Sequence, residues 1–256
     1  MNLAISPQTL VLTASILLIA IWISYKEKLG TSKEIIISIG RAIIQLLVVG
    51  YVLTYIFDLN NAIVTLALVL IIIFNASWNA GKRGNGLKNA FRNAFISIFT
   101  ATAITLIILL ATGSIVLTPG QVVPITGMIA GNAMTNIGLN YRNLMSLFRD
   151  QSQQVQEKLA LGANSRQASL SIMQDAIKAG MQPTLDTTKT VGLVSLPGMM
   201  SGLIFAGIEP TKAVMYQIMV MMMLIGTTAI ASYISTYLTY KSFYTDRQQL
   251  IINKPK

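Results

Sequence analysis

Residues 151–207 read QSQQVQEKLALGANSRQASLSIMQDAIKAGMQPTLDTTKTVGLVSLPGMMSGLIFAG. This is the one long polar interval in an otherwise apolar chain, and it runs directly into another apolar segment. Val155 and Leu159 lie on one face of a short helix that stops at Gly162, a residue suited to a left-handed stop. Asn164, followed three residues later by Gln167, has the pattern of a capping box for a second helix. That helix carries Leu170, Met173 and Ile177 on one stripe, with Pro183 expected to limit it. The interval therefore reads as two helices around a sharp turn, either lying on lipid headgroups or serving as a docking element for another protein.

The surroundings of this interval decide the fold class. Of 256 residues, 53% are hydrophobic and 11% charged, against about a quarter charged in ordinary soluble domains. The expected fold is all-α, a polytopic helical membrane protein with about seven transmembrane helices and a cytoplasmic helical loop. The spans are 9–25, 35–57, 62–78, 91–111, 122–147, 191–207 and 213–237. The fifth is interrupted by glycines and asparagines, and the sixth has Pro197-Gly198 in its middle. Residues 1–28 lack a basic region ahead of the first apolar run and a small-residue cleavage site after it, so the segment reads as a retained helix.

The net charge is +10, but the basic residues sit between spans and form no stripe suited to nucleic acid. Lys26, Lys28, Lys33, Lys82, Arg83, Lys88, the five basic residues of 149–189, and Lys241, Arg247, Lys254 and Lys256 all fall on one side, leaving only Lys212 opposite. The positive-inside rule then puts the N-terminus outside and the C-terminus in the cytoplasm. Absence of Cys and His removes thiolate and imidazole chemistry. All nine acidic residues are read outside the span centres, which disfavours metal ligation within the spans. No phosphate-binding glycine loop occurs, so active transport needs an ion gradient or a separate ATPase. No catalytic residues, metal site or cofactor are assigned.

Within the spans, Arg41 and Gln45 share a helical face, and Arg41 either faces the bundle interior or snorkels to the headgroups. Gly127 and Gly131, spaced four apart, suggest a close helix seam, with Asn132 and Asn136 either as interhelical glue or as substrate contacts. Met215, Met219, Met221, Met222 and Met223 read as adaptable packing before they read as soft-metal ligands.

The segment EKLALGANSRQASLSIMQDAIKAGMQP resembles the coupling loop of bacterial ABC importer permeases. LPGMM, GMIAGNAMTNIGLN and RAIIQLLVVGYVL are similar to the Fet-type family of ABC transporter permeases, which includes iron-export permeases and plant aluminium-sensitivity proteins. The resemblance implies a single permease domain over 1–256, with a coupling loop at 150–183 and no ATPase of its own. It would act in the cell membrane as an exporter of iron or another metal ion, and would pair as two permeases with two separately encoded ATPases. By position, Glu157, Gly162, Ala163 and Arg166 would belong to the coupling helix. Arg41, Gln45, Asn132, Met134, Thr135, Pro197, Gly198, Met199 and Met200 would line the path or its gate. Ala133 stands where the family pattern has Ser, and Asn136 and Asn140 are additional polar groups, departures that touch the path. The alternative reading is a stand-alone secondary transporter or channel with a regulatory loop.

Overall fold

Lys26 stacks over the Trp22 ring at 5.0 Å near the end of the first apolar stretch, an aromatic-cation pair typical of a helix end at a membrane surface. The computed structural model describes residues 7–59 and 61–251. Lys254, Lys256 and residues 1–6, used in the topology reading, lie outside the described residues. The backbone forms two units, Met1–Leu59 and Asn60–Lys256.

The first unit contains α1 (Pro7–Thr13), α2 (Ser15–Lys26) and α3 (Ser32–Leu59). The expected first span is thus two helices separated at Ala14, whose φ of −61° and ψ of −17° remain helical. The turn into α3 is tied by Ser24 Oγ, which pairs with Thr31 Oγ1 and accepts from Ser32 Oγ, both at 2.9 Å. α3 is apolar along its length and exposes nearly all of it.

The second unit holds α4 (Ala62–Arg83), α5 (Ala90–Ala111), α6 (Pro119–Asp150), α7 (Ser152–Ala160), α8 (Ser165–Thr190), α9 (Gly198–Phe205) and α10 (Pro210–Thr239). Asn61 caps α4 by accepting from Ile63 N at 2.8 Å, satisfying one of the orphan donors of its first turn. Small residues on α4 and α5, among them Ala76, Ala80, Ala94 and Ala101, are buried with Ile98, Ile125, Ile129 and Ile137, so backbones approach closely where a water-driven hydrophobic effect is absent. Polar ties cross the same interfaces. Thr105 pairs with Thr227 at 2.9 Å, Asn93 donates to Thr239 Oγ1 at 3.2 Å, and Tyr141 Oη donates to Ala90 O at 3.1 Å.

Five helices, α3, α4, α5, α6 and α10, are each long and apolar enough to cross a membrane, and the described residues form no strand beyond two isolated bridges. The chain is a polytopic helical membrane protein. The sixth expected span is different from its reading. Residues 191–207 are not one helix: 191–197 form a turn, and α9 begins only after Pro197, which has φ −60° and ψ 140°. Pro197 starts a helix and does not kink one, because a proline at the first turn loses no hydrogen bond that the turn would have made. Conversely, α8 passes through Pro183 to Thr190, so Pro183 does not end it; the lost N–H is outweighed by packing on α6 and α10. The stretch 165–205 is therefore divided among α8, the 191–197 turn and α9.

Candidate functional site

The α7–α8 hairpin forms as the sequence specifies. After α7, Gly162 at φ +91° reverses the chain; Gly162 N donates to Leu159 O and Ala163 N to Lys158 O, both at 3.0 Å, which is a Schellman closure. Asn164 Oδ1 then accepts from Gln167 N at 2.9 Å while Gln167 Oε1 accepts from Asn164 N at 3.0 Å, completing the capping box. Glu157 is exposed on α7 and accepts from Gln153 at 3.0 Å. Ala163 packs on a cluster of Leu144, Phe148, Val155, Ile172, Met173, Tyr240 and Phe243. Leu161, at the hairpin tip, is 88% exposed.

The C-terminal segment braces this hairpin, a feature the sequence reading missed. Gln248 Oε1 accepts from Ser165 N at 3.1 Å, adding to the caps of α8, and Phe243 stacks on Phe148 with ring centroids 4.0 Å apart. Tyr244 Oη bonds Ser169 Oγ; burial raises the Tyr244 pKa, with the Ser169 hydrogen bond pulling the other way. Arg166 lies 5.4 Å over the Tyr237 ring, and the hydrogen bond with Tyr237 raises its pKa further. A groove of about 800 Å³ runs between hairpin and tail, lined by Gln156, Leu159, Gly162, Arg247 and Leu250 among others.

α8 then leaves the hairpin and lies between α6 and α10. Gly180 sits where a Cβ would come 3.2 Å from Ser232 Oγ and 3.3 Å from Asn136 O. Asn136 Nδ2 donates to Thr228 Oγ1 at 2.8 Å and Thr184 Oγ1 at 3.3 Å. Asn140 Nδ2 donates to Ser232 O, Ser235 Oγ and Thr236 Oγ1 at 3.0, 3.1 and 2.6 Å. Further along, Thr188 Oγ1 meets Met221 Sδ at 3.9 Å. At 1.5 Å per residue, Met221 is roughly 17 Å into α10 from Pro210, about half the ~30 Å apolar thickness of a bilayer. The second half of α8 thus packs beside the middle of α10, a helix long and apolar enough to cross a membrane.

Asp186 pairs with Lys189 at 3.3 Å, and the two side chains are 55% and 69% exposed. A cavity of about 270 Å³ opens between α6, α8 and α10, into which Asn132, Thr135, Pro183, Thr187, Thr188 and Met221 face.

Of the residues read as path or gate, Asn132 and Thr135 line this cavity. Met134 packs into the main core, as does Met199. Gly198 opens α9, and Met200 is half-buried on it. Arg41 and Gln45 belong to the first unit, on exposed turns of α3. Gly127 and Gly131 form no seam among the described residues of the second unit, since a Cβ at either meets nothing within 4 Å. The close approach is at Gly138, where a Cβ would meet Arg83 Cδ at 2.5 Å. Asn136 is interhelical glue, whereas Asn132 is not, its amide turning to Met128 O of its own helix at 3.0 Å. The methionines divide similarly: Met223 is buried, Met219 packs on the core, Met221 faces the cavity, and Met215 and Met222 are exposed. The missed lining residues left one signal, the recurrence of Thr184, Thr187 and Thr188 after Pro183 at helical spacing.

The profile of the uncharacterised protein family UPF0014 matches residues 7–244. The chain belongs to this family. It is 53% identical to the probable iron export permease protein FetB of Escherichia coli over 252 residues, 98% of this chain and 97% of that protein. It is 38% identical to the protein ALUMINUM SENSITIVE 3 of Arabidopsis thaliana, covering 92% of this chain and 86% of the relative. The UPF0014 membrane protein YjkA of Bacillus subtilis is 37% identical over 96% of this chain and 98% of its own length. No solved structure matches. As a UPF0014 member with several spans, the chain is a multi-pass membrane protein of a group whose named members include a permease.

Proposed function

We propose that this chain is the permease subunit of an ATP-driven transporter, exporting iron or another divalent metal ion and energised by a separate ATPase subunit that docks on residues 151–180. The observation that carries this reading is the continuity of α8. One helix of 26 residues runs from the exposed Gly162 hairpin to the polar contacts at Asn136 and Thr228. A push on the hairpin is transmitted along α8 because a hydrogen-bonded helix resists compression, while the 191–197 turn beyond it can absorb movement. Broken helices of this kind line substrate sites in transporters.

The exposed Leu161 tip and the groove beside Arg247 offer a partner both an apolar knob and a recess. Glu157, Gly162, Ala163 and Arg166 are the docking residues in this reading. The path runs along α8 and α9, with Asn132 and Thr135 on its wall and Pro197 to Met200 at the far side of the break. The N-terminus faces outward and the C-terminus the cytoplasm, where the ATPase is. A second permease completes a complex of two permeases and two ATPases. The metal comes from the name of the Escherichia coli relative, and transport in place of catalysis comes from the permease relatives.

The test is co-expression with a candidate ABC ATPase subunit, with capture of the complex and ATP hydrolysis as readouts. Glu157→Lys with Arg166→Glu is expected to abolish capture, and Gly162→Pro to keep the permease folded but uncouple hydrolysis from transported metal. Full capture and full metal-stimulated hydrolysis by both variants would refute the docking role.

A further inference from the structure

The cavity between α6, α8 and α10 has a wall of unusual hydrogen-bond polarity. Thr135 Oγ1 donates to Gly131 O at 3.1 Å, Thr187 Oγ1 to Pro183 O at 2.9 Å and Thr188 Oγ1 to Thr184 O at 2.8 Å. Each hydroxyl proton is thereby spent on the helix that carries it, and what remains for the cavity is the lone pairs. Asn132 likewise spends one N–H on Met128 O, leaving its carbonyl oxygen and a single N–H. Met221 adds a thioether sulfur, another weak acceptor. No Lys, Arg, Asp or Glu lines the cavity, and among the described residues no group of three or more His, Cys, Asp or Glu comes together to chelate a metal.

Such a wall recognises a ligand that is positive and covered with donors. It repels anions, whose lone pairs would meet those of the wall. It also cannot strip a divalent cation, because dehydration of a hard cation is offset only by several charged or closely set oxygens. The size agrees: six waters at about 30 Å³ each occupy roughly 180 Å³, within the 270 Å³ available. We propose that this cavity binds a divalent metal cation with its inner hydration shell intact, the coordinated waters donating to Thr135, Thr187, Thr188 and Asn132. The inference rests on the permease reading and names how its substrate is held. Selection is by charge and hydrated size, so affinities across the divalent first-row metals are nearly flat and do not climb toward copper as they do for directly bound N, O and S ligands.

Mn²⁺ is the probe, added to the full purified chain in lipid nanodiscs without any ATPase. The electron paramagnetic resonance signal of free Mn²⁺ reports binding, and deuterium-modulation measurements in heavy water count the waters kept. The expected result is bound Mn²⁺ retaining about six waters, displaced by hexaamminecobalt(III), an inert cation that cannot exchange its ammonia ligands. Thr135→Val and Thr187→Val, both on exposed helix positions, should each weaken binding about fivefold, the effect of one lost hydrogen bond, while Gln153→Ala on α7 leaves it unchanged. Failure of Mn²⁺ to bind overturns the proposal. So does Mn²⁺ stripped of most of its waters, indifference to hexaamminecobalt(III), or equal binding by folded Thr135→Val/Thr187→Val protein. Loss of ATPase capture with this binding intact would sink the ABC assignment alone, and the converse would sink the hydrated-cation site alone.

Discussion

The seating of α8 against α6 can be tested by a double-mutant cycle on Asn136 and Thr184. Both are buried, at 2% and 8% exposure, and Asn136 Nδ2 divides its two bonds between Thr184 on α8 and Thr228 on α10. Interhelical hydrogen bonds within membranes average about 0.6 kcal/mol and reach ~1.7 kcal/mol. Thr184→Val keeps the shape and removes the Asn136 bond together with a longer contact to Thr228 at 3.4 Å, for an expected loss of about 0.6–1.2 kcal/mol. Asn136→Ala removes two bonds and leaves a void, for an expected loss of about 2–3 kcal/mol. If the two side chains meet, the double variant loses less than the sum by about 0.6 kcal/mol. The assay is equilibrium unfolding by SDS titration in mixed micelles, followed by far-ultraviolet circular dichroism, with Thr228→Val as the parallel cycle. Strict additivity for Asn136 and Thr184, alongside measurable coupling for Asn136 and Thr228, would show that α8 is not seated against α6, and with it would fall the cavity between α6, α8 and α10.

Four further outcomes follow from the geometry. Gly84→Ala would place a Cβ 2.6 Å from Tyr141 Cδ2 and 3.0 Å from Ala90 Cβ, so it should lower stability by about 1–3 kcal/mol in the same unfolding assay. Gly127→Ala, with open space around it, should not lower stability. Gly162→Val forces a β-branched residue to φ +91° at a cost of about 1–3 kcal/mol, expected as faster proteolysis at the 158–165 hairpin with little change in the melting of the spans. The Tyr244 pKa is raised in the folded chain by burial, so its stabilisation is complete below the ordinary tyrosine value of about 10 and is lost as pH rises through the higher folded value. Alkaline titration should therefore release the C-terminal segment, read as protease sensitivity after residue 240. Tyr244→Phe should flatten that dependence.

Pattern was enough for the hairpin at 157–167, because its determinants are local: a Schellman glycine and a reciprocal cap act within a few residues of themselves, so Gly162, Asn164 and Gln167 could be assigned roles from spacing. Pattern failed at Pro183 and Pro197 because a proline reports only what its own backbone lacks. Whether a helix continues through it depends on the packing of neighbouring turns, and α6 and α10 supply that packing to α8 but not to residues 191–197. The cavity was half legible. Asn132 and Thr135 were marked by being polar within an apolar run, whereas Thr187 and Thr188 were hidden in a segment polar enough to pass for a loop.

The sequence by itself determined the membrane class, the long spans and the helix-turn-helix at 151–180, since hydropathy over about twenty residues and backbone caps are properties of contiguous chain. Only the tertiary structure decided where the polar helix packs. Asn136 and Thr184 are 48 positions apart, and a hydrogen bond between them exists only once α6, α8 and α10 are packed. It is that contact which carries the threonine-lined wall out of an apparent loop and in among the long apolar helices.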